Sequence, residues 1–130
     1  MNPIHLEHPY RDGVALIGDA AAASDPCFGC GLSLMLRDVR VLQELLATRS
    51  DWSVAAEIYA KEHDRYFDAL HRILSWNREL SYACGSAGEA RRLRARPLLL
   101  REPQRRPDFL GLGPEAPNDE KARRLFFCED

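Results

Sequence analysis

The sequence predicts a mainly α-helical domain that carries one or a few short strands. Three observations lead there. Apolar residues recur every three or four positions over two long stretches beyond Gly31, the pattern of helices with one buried face. Only one early run, Val14-Ala15-Leu16-Ile17, has the length and apolar character of a strand. The 130 residues suffice for one modest core but not for a cofactor domain plus a substrate domain, and 45% hydrophobic with 29% charged residues is ordinary globular composition.

Along the chain, Asp12-Gly13 reads as a turn, and Val14-Ala15-Leu16-Ile17 follows as a strand ending at Gly18-Asp19. A strand without alternation is expected in a sheet covered on both faces, usually a parallel one. Parallel partners need crossover connections, and the later sequence offers only Leu98-Leu99-Leu100 as a comparable run. A lone buried strand would leave backbone groups unpaired, so the run implies a piece of something larger or a helical protein with an unusual start. Small residues from Ala20 to Ala23 then lead through Ser24-Asp25-Pro26 into the bend Gly29-Cys30-Gly31. This opens onto a helix over about 32–47, in which Leu32, Met35, Leu36, Val39, Leu42 and Leu46 form the predicted apolar face, with Arg37, Asp38, Arg40 and Glu44 on the polar side. A helix N-terminus behind a glycine bend suits an anion or polar ligand, and it equally makes a tight connection with no ligand.

A second helix is predicted over about 51–80, capped by Ser50 or Asp51, with a stripe from Trp52 through Ala55, Ala56, Tyr59, His63, Tyr66, Phe67, Leu70, Ile73, Leu74 and Asn77. Such a stripe is core, and His63 and His71 read as ordinary helix residues. Gly85-Ser86 breaks the chain. Ser86-Ala87-Gly88-Glu89 matches a capping box for an arginine-rich helix over about 87–96 that ends before Pro97. Prolines and glycines from Pro97 to Pro117 predict an irregular surface segment, and Asn118 then caps a last helix over about 119–127, anchored by Phe126 and Phe127.

Charge and residue usage exclude several functions. The net charge of -2 lacks the basic excess that holds nucleic acid or anionic lipid, and Arg91, Arg92, Arg94 and Arg96 are tempered by Glu89, Glu102, Asp108 and Glu115. No run is long and apolar enough for a membrane helix, and Met1-Asn2-Pro3-Ile4-His5 does not open a secretory signal, so a cytoplasmic location is expected. Cys27 and Cys30 lie together while Cys84 and Cys128 stand apart, and His5, His8, His63 and His71 show no ligand spacing. No metal is therefore expected, and the cysteines are expected to be unpaired.

Gly13-Val14-Ala15-Leu16-Ile17-Gly18-Asp19-Ala20-Ala21, then Asp25-Pro26, Phe28-Gly29-Cys30-Gly31-Leu32-Ser33-Leu34 and Leu36-Arg37-Asp38-Val39, resembles the second FAD-binding motif of flavoprotein monooxygenases of the aromatic hydroxylase superfamily. That motif runs from a strand through Gly-Asp-Ala-Ala, a proline turn and Gly-Gln-Gly to a helix carrying an Asp. The resemblance implies a partial FAD-binding domain over 1–130, the C-terminal fragment of an α/β, Rossmann-like fold of the aromatic hydroxylase type. It implies that Asp19 accepts hydrogen bonds from the ribityl chain and that Gly18 lets the backbone pass near the diphosphate. Pro26 would shape the turn beside the isoalloxazine ring, and Gly29 and Gly31 would let the loop approach the flavin. Leu32 and Ser33 would offer backbone amides to the pyrimidine edge. Asp38 would support the helix or its contact with the nucleotide domain.

Ala22 stands where many relatives carry His, Cys30 stands in place of Gln, and Cys27 is unusual beside the turn. No residue is an evident substrate acid or base, so none is named catalytic. The GxGxxG turn for the ADP half of FAD and its acidic ribose partner are not in the sequence. The implied activity of the complete enzyme uses NAD(P)H and O2 to oxygenate a small organic substrate, with an N-terminal half or a second copy as partner for this chain. The alternative is a non-catalytic helical interaction module whose long helix presents an apolar stripe.

Overall fold

The computed structural model describes residues 4–129; the side chains of Ile4 and Cys27 lie outside what is described, as do the expectation for a leader at Met1-Asn2-Pro3 and any pairing of Cys27. Helix dominates. Four two-residue strands, β1 (Ile4–His5), β2 (Tyr10–Arg11), β3 (Val14–Ala15) and β4 (Ala22–Ala23), precede five helices: α1 (Gly31–Thr48), α2 (Trp52–Tyr82), α3 (Gly85–Arg101), α4 (Phe109–Leu112) and α5 (Glu120–Phe127). The chain divides into two compact units between Phe67 and Asp68, a point inside α2.

In the N-terminal unit the strands form two separate antiparallel ladders, neither extended into a larger sheet. β1 pairs with β4, setting His5 opposite Ala22, and β2 pairs with β3, setting Tyr10 opposite Ala15. Asp12 and Gly13 both take positive φ, 51° and 83°. This is the twist that a two-residue hairpin between right-twisted strands requires. The expected parallel strand over Val14–Ile17 is thereby corrected. Only Val14 and Ala15 are strand, their partner is the preceding segment, and Val14 is 61% exposed. Leu16 still donates its N–H to the Pro9 carbonyl at 2.8 Å, but the chain then coils into a short 3-10 turn at Gly18–Ala20. An apolar run of four residues was too short to distinguish a sheet core from a hairpin arm.

The inward face of α1 also differs from expectation. Leu34 and Asp38 are buried, whereas Leu32, Leu36 and Val39 are 66%, 56% and 44% exposed and Met35 is also exposed. Nearly every turn of α1 carries leucine or valine on more than one side, so the apolar count alone did not orient it. α2 opens as predicted: Asp51 Oδ1 accepts the Ser53 and Val54 amides at 2.9 and 3.1 Å. From Ala55 through Tyr59, His63 and Phe67 its stripe is buried, while Trp52 is exposed.

The C-terminal unit is an apolar cluster of Ile73, Trp76, Leu80, Ala95, Leu99, Ala116, Ala122, Phe126 and Phe127. α3 starts at Gly85 behind Cys84, without the Ser86–Glu89 capping box. A side chain at Gly88 would collide with the Ala83 carbonyl, so glycine there permits the tight turn out of α2. α3 also runs through Pro97, and Leu98-Leu99-Leu100 is helix rather than strand. Pro97 and Leu93 both lie on the exposed side, where the carbonyl that loses its hydrogen bond to proline is open to solvent, while Ala95 and Leu99 hold the buried side. α5 is capped by Asp119, which accepts from the Ala122 amide at 2.8 Å, and not by Asn118, whose side chain turns back to the Ala116 carbonyl.

Candidate functional site

The loop from Gly18 to Ser33 brings the sequence-predicted residues to the N-terminal end of α1. A helix leaves its first N–H groups without intrahelical partners, and the N-cap, Cys30, supplies no side-chain acceptor to α1. Leu32 and Ser33 are exposed there, in the first turn of an 18-residue helix. Asp19 is exposed beside them: a Cβ built on Gly31 would lie 3.8 Å from Asp19 Oδ1 and 3.9 Å from Ser24 Oγ. Pro26 begins a 3-10 turn over Pro26–Phe28, and Gly29 closes it by donating to the Pro26 carbonyl at 3.1 Å. Gly29 has φ +64° and open space where a side chain would stand, so the bend depends on glycine for its conformation rather than for lack of room.

Gly18 is placed differently from the others. It is buried, with φ +57°, its N–H donates to Asp38 Oδ2 at 3.0 Å, and Met35 Cγ lies 3.0 Å from where a Cβ would be. The strand end is therefore tied to α1 from beneath, while Asp19, the next residue, stays at the surface. Asp38 is the residue whose importance the periodicity concealed: it sat on the polar side of the predicted helix and is 3% exposed. Burial pushes its carboxyl above the ordinary carboxylate range, against the Gly18 N–H, His63 and Arg37, which pull it down. Arg37 bonds Glu62 and lies over the Tyr66 ring, 3.9 Å from its centroid. On α2, the Tyr59 hydroxyl donates to the Leu16 carbonyl at 2.7 Å, fixing the same stretch two residues before Gly18.

Next to Asp38 lies a second polar cluster that no sequence spacing revealed. His63, 4% exposed, stands 3.8 Å through Nε2 from Asp38 Oδ2 and 3.7 Å through Nδ1 from Asp64 Oδ1. Burial holds its imidazole below the usual range, and the two carboxylates oppose that shift. His5 from β1 approaches the same Asp64 Oδ1 at 3.5 Å through Nε2 and stacks on Phe67 with ring centroids 4.5 Å apart. Both Asp64 oxygens accept the His8 N–H at 3.0 Å, and His8 Nε2 reaches Glu57 at 2.9 Å. Cys30 is buried with its thiol on the Phe28 carbonyl at 3.2 Å, and burial raises its pKa. Cys84 is also free. Among the described residues no helix is long and apolar enough to cross a membrane.

Comparison with known proteins places these features. Residues 3–75, more than half of the chain, match the family model described as SE: Squalene epoxidase. Kynurenine 3-monooxygenase of Mycosarcoma maydis is 33% identical over 79 residues, covering 52% of this chain and 13% of that protein. Kynurenine 3-monooxygenase of Legionella pneumophila (strain Corby) is 35% identical over 65 residues, covering 49% and 14% respectively. The enzyme of the same name from Aspergillus clavatus is 40% identical over 58 residues, covering 45% and 11%. The matched segment is thus a small part of each relative's length. No solved structure matches the chain significantly.

Proposed function

The chain belongs to the squalene epoxidase family, among the FAD-dependent monooxygenases of the aromatic hydroxylase type, and from that premise we propose that its Gly18–Ser33 segment forms part of an FAD site. The observation that carries this reading is the exposed, uncapped N-terminus of α1 with Asp19 beside it. The donor set fits the group. The free amides of the first turn and the positive end of the helix dipole suit the pyrimidine edge of a flavin, and the Asp19 carboxylate suits the hydroxyls of its ribityl chain. Bound FAD would supply the redox chemistry that joins NAD(P)H and O2 to oxygenation of a small organic substrate.

The chain's own residues would bind and orient. Gly29 and Gly31 keep side chains off the approach, Pro26 sets the turn, and Leu32 and Ser33 present their amides. Gly18 serves from below, where Asp38 and Met35 hold the loop that carries Asp19. The rest of the cofactor and substrate site would come from an N-terminal half or a second copy. Titration of the purified chain with FAD, followed by flavin fluorescence, tests the reading. Saturable one-to-one binding that weakens in Asp19→Ala is expected, and a folded chain that binds no FAD overturns it.

A second reading, a helical interaction module without flavin chemistry, draws on the exposure of Leu32, Leu36 and Val39 along one side of α1. Self-association abolished by Leu36→Glu, in a chain that ignores FAD, would select it.

A further inference from the structure

We infer that His5, His63 and Asp64 form a binding site for a divalent transition-metal ion of the zinc class, one that joins β1 to α2. One ligand atom from each residue lies within 4.8 Å of the other two. Zinc bonds of about 2.0–2.2 Å in a tetrahedral arrangement set ligand atoms roughly 3.3–3.5 Å apart. Asp64 Oδ1 already stands 3.5 Å from His5 Nε2 and 3.7 Å from His63 Nδ1, close to that spacing, and the two nitrogens lie within 4.8 Å of each other.

A second observation makes the cluster a site rather than a coincidence of polar residues. His63 Nδ1 and His5 Nε2 are both buried and without a hydrogen-bond partner. A buried polar nitrogen without a partner is costly, and here two of them lie 3.5 and 3.7 Å from one carboxylate oxygen. Protons alone resolve this poorly. Neutral His63 has a single N–H to offer two carboxylates, Asp38 at Nε2 and Asp64 at Nδ1. If the proton sits on Nε2 toward Asp38, the Nδ1 lone pair is free for a cation that also neutralises Asp64. The arrangement carboxylate, imidazole, metal is the one that fixes the tautomer of histidine ligands.

The surroundings suit the same ion. Two imidazole nitrogens and one carboxylate oxygen form a borderline donor set, one that favours zinc, cobalt or iron over calcium or magnesium. The His8 amide donates to both Asp64 oxygens and holds that carboxylate in place, and Phe67 stacks on His5 and His63, restricting both rings. Asp64 and His5 keep 28% and 20% side-chain exposure, so the cluster lies near the surface although its two nitrogens are buried. The cluster was illegible in the sequence because His5 and the His63-Asp64 pair are separated by most of the unit, and only tertiary contacts such as the His8 amide on Asp64 bring them together.

The test is a titration of the full chain with Zn2+ against a chromophoric chelator, paired with the visible spectrum of the Co2+ form. The expected result is one ion per chain, a tetrahedral cobalt spectrum without thiolate charge transfer, and a higher Tm with zinc. His5→Gln and Asp64→Asn, both at partly exposed positions, are expected to bind zinc at least about tenfold more weakly while circular dichroism shows them folded. Three results would overturn the inference: no saturable binding at one ion per chain, variants that bind as tightly as the parent, or a cobalt–thiolate band placing the ion on cysteine. None of these depends on whether the chain binds FAD.

Discussion

The two units of this chain handle polar groups in opposite ways. In the C-terminal unit Ile73, Trp76, Leu80, Leu99, Phe126 and Phe127 form a core without charged members, and the ion pairs, Arg123 with Glu120 and Arg105 with Glu102, sit toward its surface. In the N-terminal unit Asp38 and His63 are buried beside alanines and aromatic rings, while leucines and a valine of α1 face outward. Exposed leucines occur in both units, Leu93, Leu100 and Leu110 of the C-terminal one among them, so the burial of Asp38 and His63 is what separates the two, and all the candidate site residues lie in the unit that holds them.

The sharpest way to test this contrast is to remove one core side chain from the C-terminal unit. Phe127, fully buried against Phe126, should cost about 3–5 kcal/mol on Phe127→Ala, read by chemical denaturation. Asp38→Ala in the N-terminal unit should cost less, about 1–3 kcal/mol, because it strands the Gly18 N–H without an acceptor; Asp38→Asn, which keeps an acceptor, should recover most of that loss. Equal destabilisation by Ala and Asn would mean that Asp38 acts through its charge rather than through that bond. Asp119→Ala, removing the α5 cap, should cost about 1 kcal/mol, measured in the same way. Leu36→Gln on the exposed side of α1 should change the stability of the monomer by no more than about 0.5 kcal/mol; a larger loss would show that this side is covered in the free protein. Smallest in energy but simple to read, Cys84 should react with a thiol reagent well before Cys30, which is buried and whose pKa is raised.

What the sequence made legible follows from the range of each interaction. The long helices could be read because their periodicity is local, as could the Asp51 cap and the Asp12-Gly13 turn. The partner of Val14–Ala15 escaped notice, since Tyr10-Arg11 is neither apolar nor alternating, and the hairpin is only two pairs long. The orientation of α1 escaped because the contacts on its inward face, the Gly18 amide on Asp38 and Arg37 on Glu62 and Tyr66 among them, are long-range and polar, and the apolar count does not register them. Pro97 misled for a related reason: the rule that proline ends a helix assumes a carbonyl with no other partner, and at Leu93 solvent is available. The motif residues from Gly18 to Ser33 were found as a set, but their division between a buried Gly18 and an exposed Asp19, Leu32 and Ser33 needed coordinates.

The clasp between the His8 amide and Asp64 bears on how the protein assembles. It joins positions 56 residues apart, and closing so long a loop costs chain entropy before any contact offsets it. The Asp12-Gly13 hairpin and the turns of α1 can form from neighbouring residues within microseconds. β1 cannot dock fully until α2 exists to receive it. During synthesis the segment that carries β1 therefore waits in water until α2 has been made as far as Asp64, and only then can it be clasped.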